Sequence, residues 1–256
     1  MATNRLKQCL TEGRPALGPF CKFTDPAACE IAGLAGFDFA IVDMEHGPIS
    51  IERAQDLLRA CEVAGLSPVI RVPANEEHEV LRALDIGAHG VQVPEINTRG
   101  QAEKLAASAR YHPRGRRGVC RFVRASRYTA VPREQVFERA NDAVTVIAHI
   151  EGLEGFRNLD DILAVDGLDV IFIGPYDLSQ SLGVPGRTDD PKVVATMEDI
   201  ARRAAARGRA VGTFVETPEQ ARRWIAAGVR YVSYSVDVGI LMSAYQAIVK
   251  AVHGEK

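Results

Sequence analysis

Residues 144–173 decide how this chain folds. The segment opens with VTVIAHI at 144–150 and closes with LDVIFI at 168–173. Both runs are short, rich in β-branched residues and apolar on both faces, which is typical of parallel strands covered by helices. The same pattern recurs along the chain and predicts eight strands: Ala16–Cys21, Phe37–Val42, Pro68–Val72, Gly90–Val93, Val144–Ile150, Leu168–Ile173, Ala210–Val215 and Tyr231–Val236.

Helical patterns separate these strands. Two examples are Ser50–Ala64 and Pro218–Ala227, and Ser50, Asn75 and Thr217 are suitable N-cap residues. Most of the helical patterns end in a small residue followed by glycine, which supplies the left-handed cap that returns the chain to the next strand. These glycines are Gly36, Gly65, Gly87 and Gly228.

The order of these elements predicts one (β/α)8 TIM barrel, an α/β fold, over residues 1–256. The length is usual for one such barrel, and no linker-like or low-complexity segment interrupts it. An open, doubly wound sheet is the alternative. That fold usually begins with a glycine-rich phosphate turn, and no G-x-G-x-x-G follows the first predicted strand.

The composition argues against several partners. A formal net charge of −2 gives no global field for nucleic acid or an anionic membrane. The N-terminus lacks an apolar signal region, and no apolar run reaches the ~20 residues of a membrane helix. Five scattered cysteines without a C-x-x-C pair favour reduced thiols in the cytoplasm. They are Cys9, Cys21, Cys29, Cys61 and Cys120.

One segment departs from the alternation of strands and helices. Tyr111–Arg133 is a long excursion with seven arginines between the fourth and fifth strands. Long loops in compact domains are usually functional or disordered. Because the rest of the chain offsets the positive charge, we expect an ordered lid or a subunit contact rather than a nucleic-acid site.

Catalytic groups of this fold lie at the C-terminal ends of the strands. Glu151 and Asp177 follow the fifth and sixth strands, whose axes lie ~4.8 Å apart, so both carboxylates can reach one point. Two carboxylates without cysteine ligands suit a hard octahedral cation such as Mg²⁺ or Mn²⁺. The alternative is that both are helix N-terminal carboxylates stabilised by the helix dipole.

Arg71 lies near the end of the third strand, where a buried charge needs a partner. Its planar guanidinium suits a substrate carboxylate or a developing enolate oxygen. The alternative is a structural ion pair with Asp43 or Glu45.

Two histidines lie near the C-terminal ends of strands, at the same end of the barrel. His46 is the candidate general base, since histidine titrates near neutral pH, and Asp43 and Asp85 are the candidate acids that orient it. The alternative for His46 is an ordinary loop histidine. His149, two residues before Glu151, is a candidate hydrogen-bond donor to substrate or a weak third metal ligand.

An enamine mechanism requires a lysine at the mouth of the barrel. Of the six lysines only Lys22 follows a strand at that end, and no neighbour in the sequence supplies the apolar or cationic setting that such a lysine needs. The sequence therefore favours the metal over the lysine.

Five segments together resemble the HpcH/HpaI aldolase family, and more narrowly its metal-dependent pyruvate aldolases. The resemblance covers nearly the whole chain, and its most specific parts are I-E-x-x-E-G and F-I-G-P-x-D-L-S. The segments are DFAIVDMEHGP at 38–48, VIRVP at 69–73, ALDIGAHGVQVPEI at 83–96, IAHIEGLEG at 147–155 and VIFIGPYDLSQSLG at 170–183.

The resemblance implies roles for these residues. Glu151 and Asp177 are then the ligands of Mg²⁺, Mn²⁺ or Co²⁺, His46 is the proton acceptor, Arg71 stabilises the enolate, and Asp85 raises the basicity of the histidine. The backbone around Gly174, Pro175 and Tyr176 is expected to line the substrate carboxylate.

The resemblance also implies a reaction, namely reversible cleavage of 4-hydroxy-2-oxo acids to pyruvate, or a related 2-oxo acid such as hydroxypyruvate, and an aldehyde. Family members are typically trimers or hexamers that swap a final helix, which the amphipathic stretch Val238–Val252 permits. The sequence departs from the family at His149, where glutamine is common, and in the arginine-rich excursion.

Two other functions compete with this one. An acyl-CoA lyase of the same superfamily would need additional surface for the nucleotide, and no appended segment is evident. A non-catalytic barrel that binds a small acid would be expected to lack the base, the arginine or one of the metal carboxylates.

Overall fold

The computed structural model describes residues 4–254, apart from the side chains of residues 133 and 134, and its strands close into a barrel. Each strand pairs in parallel with the next, and the last strand pairs with the first. The strands are β1 (Ala16–Cys21), β2 (Phe39–Asp43), β3 (Ser67–Arg71), β4 (Gly90–Val93), β5 (Thr145–Ile150), β6 (Val170–Ile173), β7 (Ala210–Val215) and β8 (Tyr231–Val236). The predicted (β/α)8 TIM barrel is confirmed.

Helices surround the barrel and alternate with its strands. They are α1 (Arg5–Thr11), α2 (Pro26–Leu34), α3 (Ile51–Val63), α4 (Glu77–Asp85), α5 (Arg99–Ala109), α6 (Arg133–Ala143), α7 (Leu153–Arg157), α8 (Leu159–Leu163), α9 (Pro175–Ser181), α10 (Pro191–Ala206), α11 (Pro218–Ala226) and α12 (Asp237–His253). Within residues 4–254, none of these helices has the length and apolar character needed to cross a membrane.

The strands are buried on both faces, as their apolar runs predict. One face of each strand packs under the helices in a large apolar cluster, while the other face fills the barrel with a smaller one. Phe39, Phe172 and Tyr231 meet inside the barrel, and the Tyr231 hydroxyl donates to Gln92 Oε1 at 2.7 Å. The interior is therefore a packed core, and substrate can reach only its ends.

Most of the predicted helix ends are confirmed. Ser50 Oγ accepts from the Arg53 N–H and Thr217 Oγ1 accepts from the Gln220 N–H, so both residues cap their helices. The predicted cap Asn75 is wrong, because Glu76 is the N-cap of α4 and the Asn75 amide donates to the Gln101 carbonyl in α5. The four predicted capping glycines all adopt positive φ.

The arginine-rich excursion lies at the N-terminal end of the barrel, opposite the expected catalytic mouth. It includes a 3-10 turn at Arg124–Thr129. The Arg124 guanidinium donates to the Ile86 carbonyl at the end of α4 and to Glu62 near the end of α3. Because both helices end below the strands, the excursion does not cover the mouth of its own barrel.

Candidate active site

Arg71 is held in one orientation at the C-terminal end of β3. Its Nε and Nη2 groups donate to the two carboxylate oxygens of Asp43 at 2.8 Å each, and Asp43 is the residue paired with it on β2. Its Nη1 lies 3.0 Å from Glu45 Oε2, and the guanidinium stands 4.6 Å above the Phe20 ring. The structural ion pair foreseen as an alternative is therefore present, and it fixes the cation at the mouth.

Asp43 supports this arrangement from full burial. Burial opposes ionisation of its carboxyl group, but the paired guanidinium of Arg71 prevails and lowers the pKa of Asp43. The same carboxylate accepts from the backbone N–H groups of Glu45 and His46 at 3.2 Å each. Asp43 thus orients the turn that carries His46 rather than its imidazole ring.

Glu45 connects the arginine to the candidate base. Its Oε2 is 3.0 Å from Arg71 Nη1 and 3.9 Å from His46 Nε2. Burial raises the pKa of Glu45 above its usual value, against the opposing charges of Arg71 and His46. Sequence reasoning treated Glu45 only as an ion-pair partner of Arg71, although its position next to His46 was a signal of a second role.

His46 itself is exposed at the mouth, with 59% of its side chain accessible, so it can meet a substrate. Asp85 lies elsewhere. It is the last residue of α4, at the other end of the barrel, and it accepts from Arg117 Nη2 at 2.7 Å. The structure does not bring Asp85 and His46 together within one chain, because α4 runs back down the barrel after β3 and its end is remote from the strand ends.

Lys22 also stands at the mouth, just beyond β1. Its Nζ is 3.7 Å from Asp43 Oδ2. A Schiff-base lysine needs an apolar or cationic setting, and here the nearest partner is a carboxylate. The surroundings of Lys22 therefore do not favour an enamine mechanism.

Glu151 is a largely buried carboxyl group at the mouth of the barrel. Its Oε1 accepts from the Glu95 N–H at 2.8 Å, and its Oε2 is 3.0 Å from His149 Nδ1. Burial opposes ionisation, but the His149 ring, the Glu95 N–H and the Arg71 charge outweigh it and lower the pKa of Glu151 to about 2. A carboxylate that stays charged while buried is suited to hold a cation.

His149 lies beneath Glu151 with 1% of its side chain exposed, and its ring stacks on Phe172 at 4.5 Å. A bond between Nδ1 and a carboxylate oxygen requires the proton on Nδ1, so Nε2 of the neutral ring can only accept. Nε2 has no hydrogen-bond partner within the described residues. In the neutral ring this nitrogen cannot donate to a substrate oxygen.

Asp177 lies in the first turn of α9, after β6. It is exposed, as is Tyr176 beside it, while Gly174 and Pro175 are buried. The Tyr176 hydroxyl donates to Glu216 Oε2 at 2.7 Å, and partial burial together with the Glu216 charge raises the pKa of Tyr176 to about 12. The loop after β6 is thereby tied to the loop after β7, and the Asp177 carboxylate stays accessible at the mouth.

The residues present fit a divalent cation with open coordination positions. Among the side chains that the structure describes, no group of three or more histidine, cysteine or acidic residues is arranged to hold a metal. Two carboxylates alone leave room for water and substrate oxygens, as Mg²⁺ and Mn²⁺ require. A Cβ atom at Gly174 would lie 2.6 Å from Glu151 Oε2, so the glycine leaves a space at the carboxylate that any other residue would fill.

Fold and site together define a class: a TIM-barrel enzyme with a buried carboxylate, a clamped arginine and an accessible histidine at its mouth. The chain matches the HpcH/HpaI aldolase/citrate lyase family over residues 17–244. The chain belongs to that family, and it is a carbon–carbon lyase.

Individual relatives are similar over the whole chain. A 5-keto-4-deoxy-D-glucarate aldolase of Citrobacter koseri is 36% identical over 97% of this chain and 96% of its own length. A hydroxypyruvate/pyruvate aldolase of Deinococcus radiodurans is 37% identical over 96% of this chain and 88% of its own. The crystal structure of the citrate synthase SbnG superposes with a TM-score of 0.88 at 34% identity, covering 99% of this chain and 100% of that one. Named aldolases among the relatives favour aldol chemistry over the other functions considered.

Proposed function

We propose that the protein catalyses the reversible aldol cleavage of 4-hydroxy-2-oxo acids to pyruvate, or hydroxypyruvate, and an aldehyde, with a divalent metal ion. The observation that carries the proposal is the cluster of Glu151, Arg71, Glu45 and His46 at the mouth. It combines a permanent anion for a cation, a fixed guanidinium for a developing oxyanion, and an accessible base.

Glu151 and Asp177 would hold the ion, which is Mg²⁺, Mn²⁺ or Co²⁺. When bound, such an ion acts as a Lewis acid that polarises a carbonyl group next to a carboxylate. The backbone of Gly174, Pro175 and Tyr176 would bind the substrate carboxylate. Gly174 has no Cβ, so the space beside the Glu151 carboxylate stays open.

Arg71 stabilises the negative charge that develops on the 2-oxo oxygen when the C3–C4 bond breaks. Its three nitrogens are already held by Asp43 and Glu45, so no reorganisation is needed to aim it. Preorganised charge in a site shielded from water contributes about 3 kcal/mol to transition-state stabilisation. Two carboxylates, Asp43 and Glu45, partly neutralise Arg71 at rest, and burial raises the pKa of Glu45.

His46 removes the C4 hydroxyl proton in cleavage and returns it in synthesis. Glu45, 3.9 Å from its Nε2, is the acidic side chain placed to orient it in this chain. His149 donates from Nδ1 to Glu151 and so fixes the carboxylate, and its Nε2 has no hydrogen-bond partner within the described residues.

A retro-aldol assay tests the proposal. Pyruvate release from 4-hydroxy-2-oxo acids is measured with Mg²⁺, Mn²⁺ or Co²⁺, and the expected activity is abolished by EDTA and by Glu151→Ala or Asp177→Ala. Arg71→Ala should depress kcat far more than metal affinity. Matched reactions contain malyl-CoA-type thioesters, or borohydride with pyruvate. Thioester cleavage without pyruvate release, or a trapped lysine adduct, would contradict the proposal.

The state of assembly is part of the same proposal: a homotrimer or homohexamer in which α12 packs against another subunit. None of the described side chains of α12 is buried, although the helix carries an apolar face. Val238, Leu241, Tyr245, Ile248 and Val252 are exposed on it to between 38% and 71%. We further place the protein in the cytoplasm, which the five free cysteines support.

A further inference from the structure

A second cavity lies at the N-terminal end of the barrel, remote from the mouth. Its volume is about 590 Å³, within the range of small-molecule sites. The arginine-rich excursion forms one wall, and the segment before β4 and the end of α6 form the others. The polar residues of the wall are Asn4, Glu62, His89, Arg117, Arg124, Arg127 and Tyr128.

The wall of this cavity carries an excess of positive charge. Arg124 is paired with Glu62 at 2.5 Å, and Arg117 is paired with Asp85 at 2.7 Å. Within the described part of the chain, the guanidinium of Arg127 has no hydrogen-bond or ion-pair partner. The positive charge of Arg127 is therefore unpaired at this cavity, whereas the other two arginines of the wall are each paired with a carboxylate.

Two buried nitrogen atoms in the same wall also lack hydrogen-bond partners within the described residues. Arg117 is 2% exposed, and its Nε has no partner within the described residues; the same holds for His89 Nδ1. Buried polar atoms are nearly always partnered in native proteins, so each such exception needs a cause. A ligand atom close to either nitrogen would supply one.

The backbone beside Arg127 is strained. Arg127, Tyr128 and Thr129 all adopt positive φ, at 50°, 50° and 80°. Three successive non-glycine residues in this region are costly, above all the β-branched Thr129. Such strain persists where the surrounding structure fixes it, and here it sets the backbone from which the side chains of Arg127 and Tyr128 reach the cavity.

We propose that this cavity binds a small organic anion through a carboxylate or phosphate group. Arg127 supplies the free charge, and Arg117 supplies a nearly buried guanidinium for the oxyanion. Leu84, Ala88 and Val144 in the wall contact the carbon skeleton. Within one chain, the cavity lies at the end of the barrel opposite the aldolase centre.

Calorimetric titration of the metal-free protein with inorganic phosphate and with succinate tests this site. Saturable binding of at least one probe is expected, and the preferred probe identifies the oxyanion. Arg127→Gln should weaken it about tenfold, the loss of one charge-assisted contact. Arg116→Gln is the matched control, because Arg116 belongs to the same excursion but pairs with Glu77 outside the cavity. The affinity of this variant for the probe should equal that of the wild type.

The mouth of the barrel needs a separate control, since Arg71 could also attract an anion. In Arg71→Met, binding should persist if the cavity is the site. Absence of saturable binding by either probe, equal affinity in Arg127→Gln and wild type, or loss of binding in Arg71→Met would each overturn the proposal. Thermal unfolding of every variant shows that the fold is retained.

Discussion

A single glycine determines whether Glu151 can serve as a metal ligand. A Cβ at Gly174 would approach Glu151 Oε2 to 2.6 Å and Glu151 Cβ to 2.9 Å. We expect Gly174→Ala to displace the carboxylate and to weaken Mn²⁺ binding about tenfold or more, measured by calorimetry. Gly152→Ala is the control, because its new Cβ would meet only Asn97 Oδ1, at an ordinary 3.7 Å. Equal Mn²⁺ affinity in both variants would show that Glu151 does not bind the ion.

Glu45 should govern the pH dependence of catalysis. Burial raises the pKa of Glu45 above its usual value, so Glu45 adds an ionisation to the acidic limb that glutamine lacks. In Glu45→Gln, the acidic limb of the kcat/KM profile is expected to move to lower pH. Glu45→Asp keeps the charge and should keep the limb near its wild-type position. A limb that stays in place in Glu45→Gln would exclude this contribution of Glu45.

The site was predicted from the sequence in part. Arg71 ends β3, while His46, Glu151 and Asp177 follow strands, and the rule that catalytic groups lie at strand ends was enough to select them. Asp85 illustrates the limit of that rule, because it ends a helix and its partner Arg117 comes from a loop that no periodicity describes. The hydrogen bond that sets the His149 tautomer depends on side-chain placement, which spacing alone cannot give.

At the scale of elements, the helix caps differ in how far sequence predicts them. Thr217 was predicted as a cap from its residue type, and the Gln220 side chain, three residues later, supports the same turn by accepting from the Glu216 N–H at 2.8 Å. Asn75 is a residue type that often caps helices, but its side-chain amide donates to the Gln101 carbonyl of α5 instead. A contact between helices can replace a local one, and only the fold reveals it.

Thr217→Ala should lower the free energy of unfolding by ~1 kcal/mol, because the Gln220 N–H loses its acceptor at the start of α11. The measurement is equilibrium denaturation in urea. Thr196→Ala is the control, since Thr196 lies inside α10 and its hydroxyl only donates back to the Lys192 carbonyl. If both variants were equally stable, Thr217 would not contribute as a cap.

At the scale of the molecule, the barrel was predictable because parallel strands buried on both faces leave a strong, continuous apolar signal. The predicted strands differ from the observed ones by at most two residues at either end. The excursion between β4 and β5 was not predictable in the same way. Its position follows from ion pairs with the ends of α3 and α4, distant in sequence.

The exposed apolar face of α12 makes a prediction about assembly. Ile248→Glu places a charge in the middle of that face, where 60% of the side chain is accessible in one chain. We expect light scattering after gel filtration to show a trimer or hexamer for the wild type and a smaller species for Ile248→Glu. Ser243→Glu, on the opposite side of the helix, should retain the wild-type mass. An unchanged mass in both variants would show that α12 takes no part in assembly.

The central claim is that Glu151 and Asp177 hold one divalent ion at which a 2-oxo acid is bound. A crystal structure of the protein with Mn²⁺ and pyruvate tests it most directly, because the anomalous signal of manganese locates the ion without reference to activity. We expect one peak at the mouth between the two carboxylates, with pyruvate oxygens and Arg71 facing it. A peak elsewhere, or carboxylates turned away from an ion-free mouth, would contradict the claim.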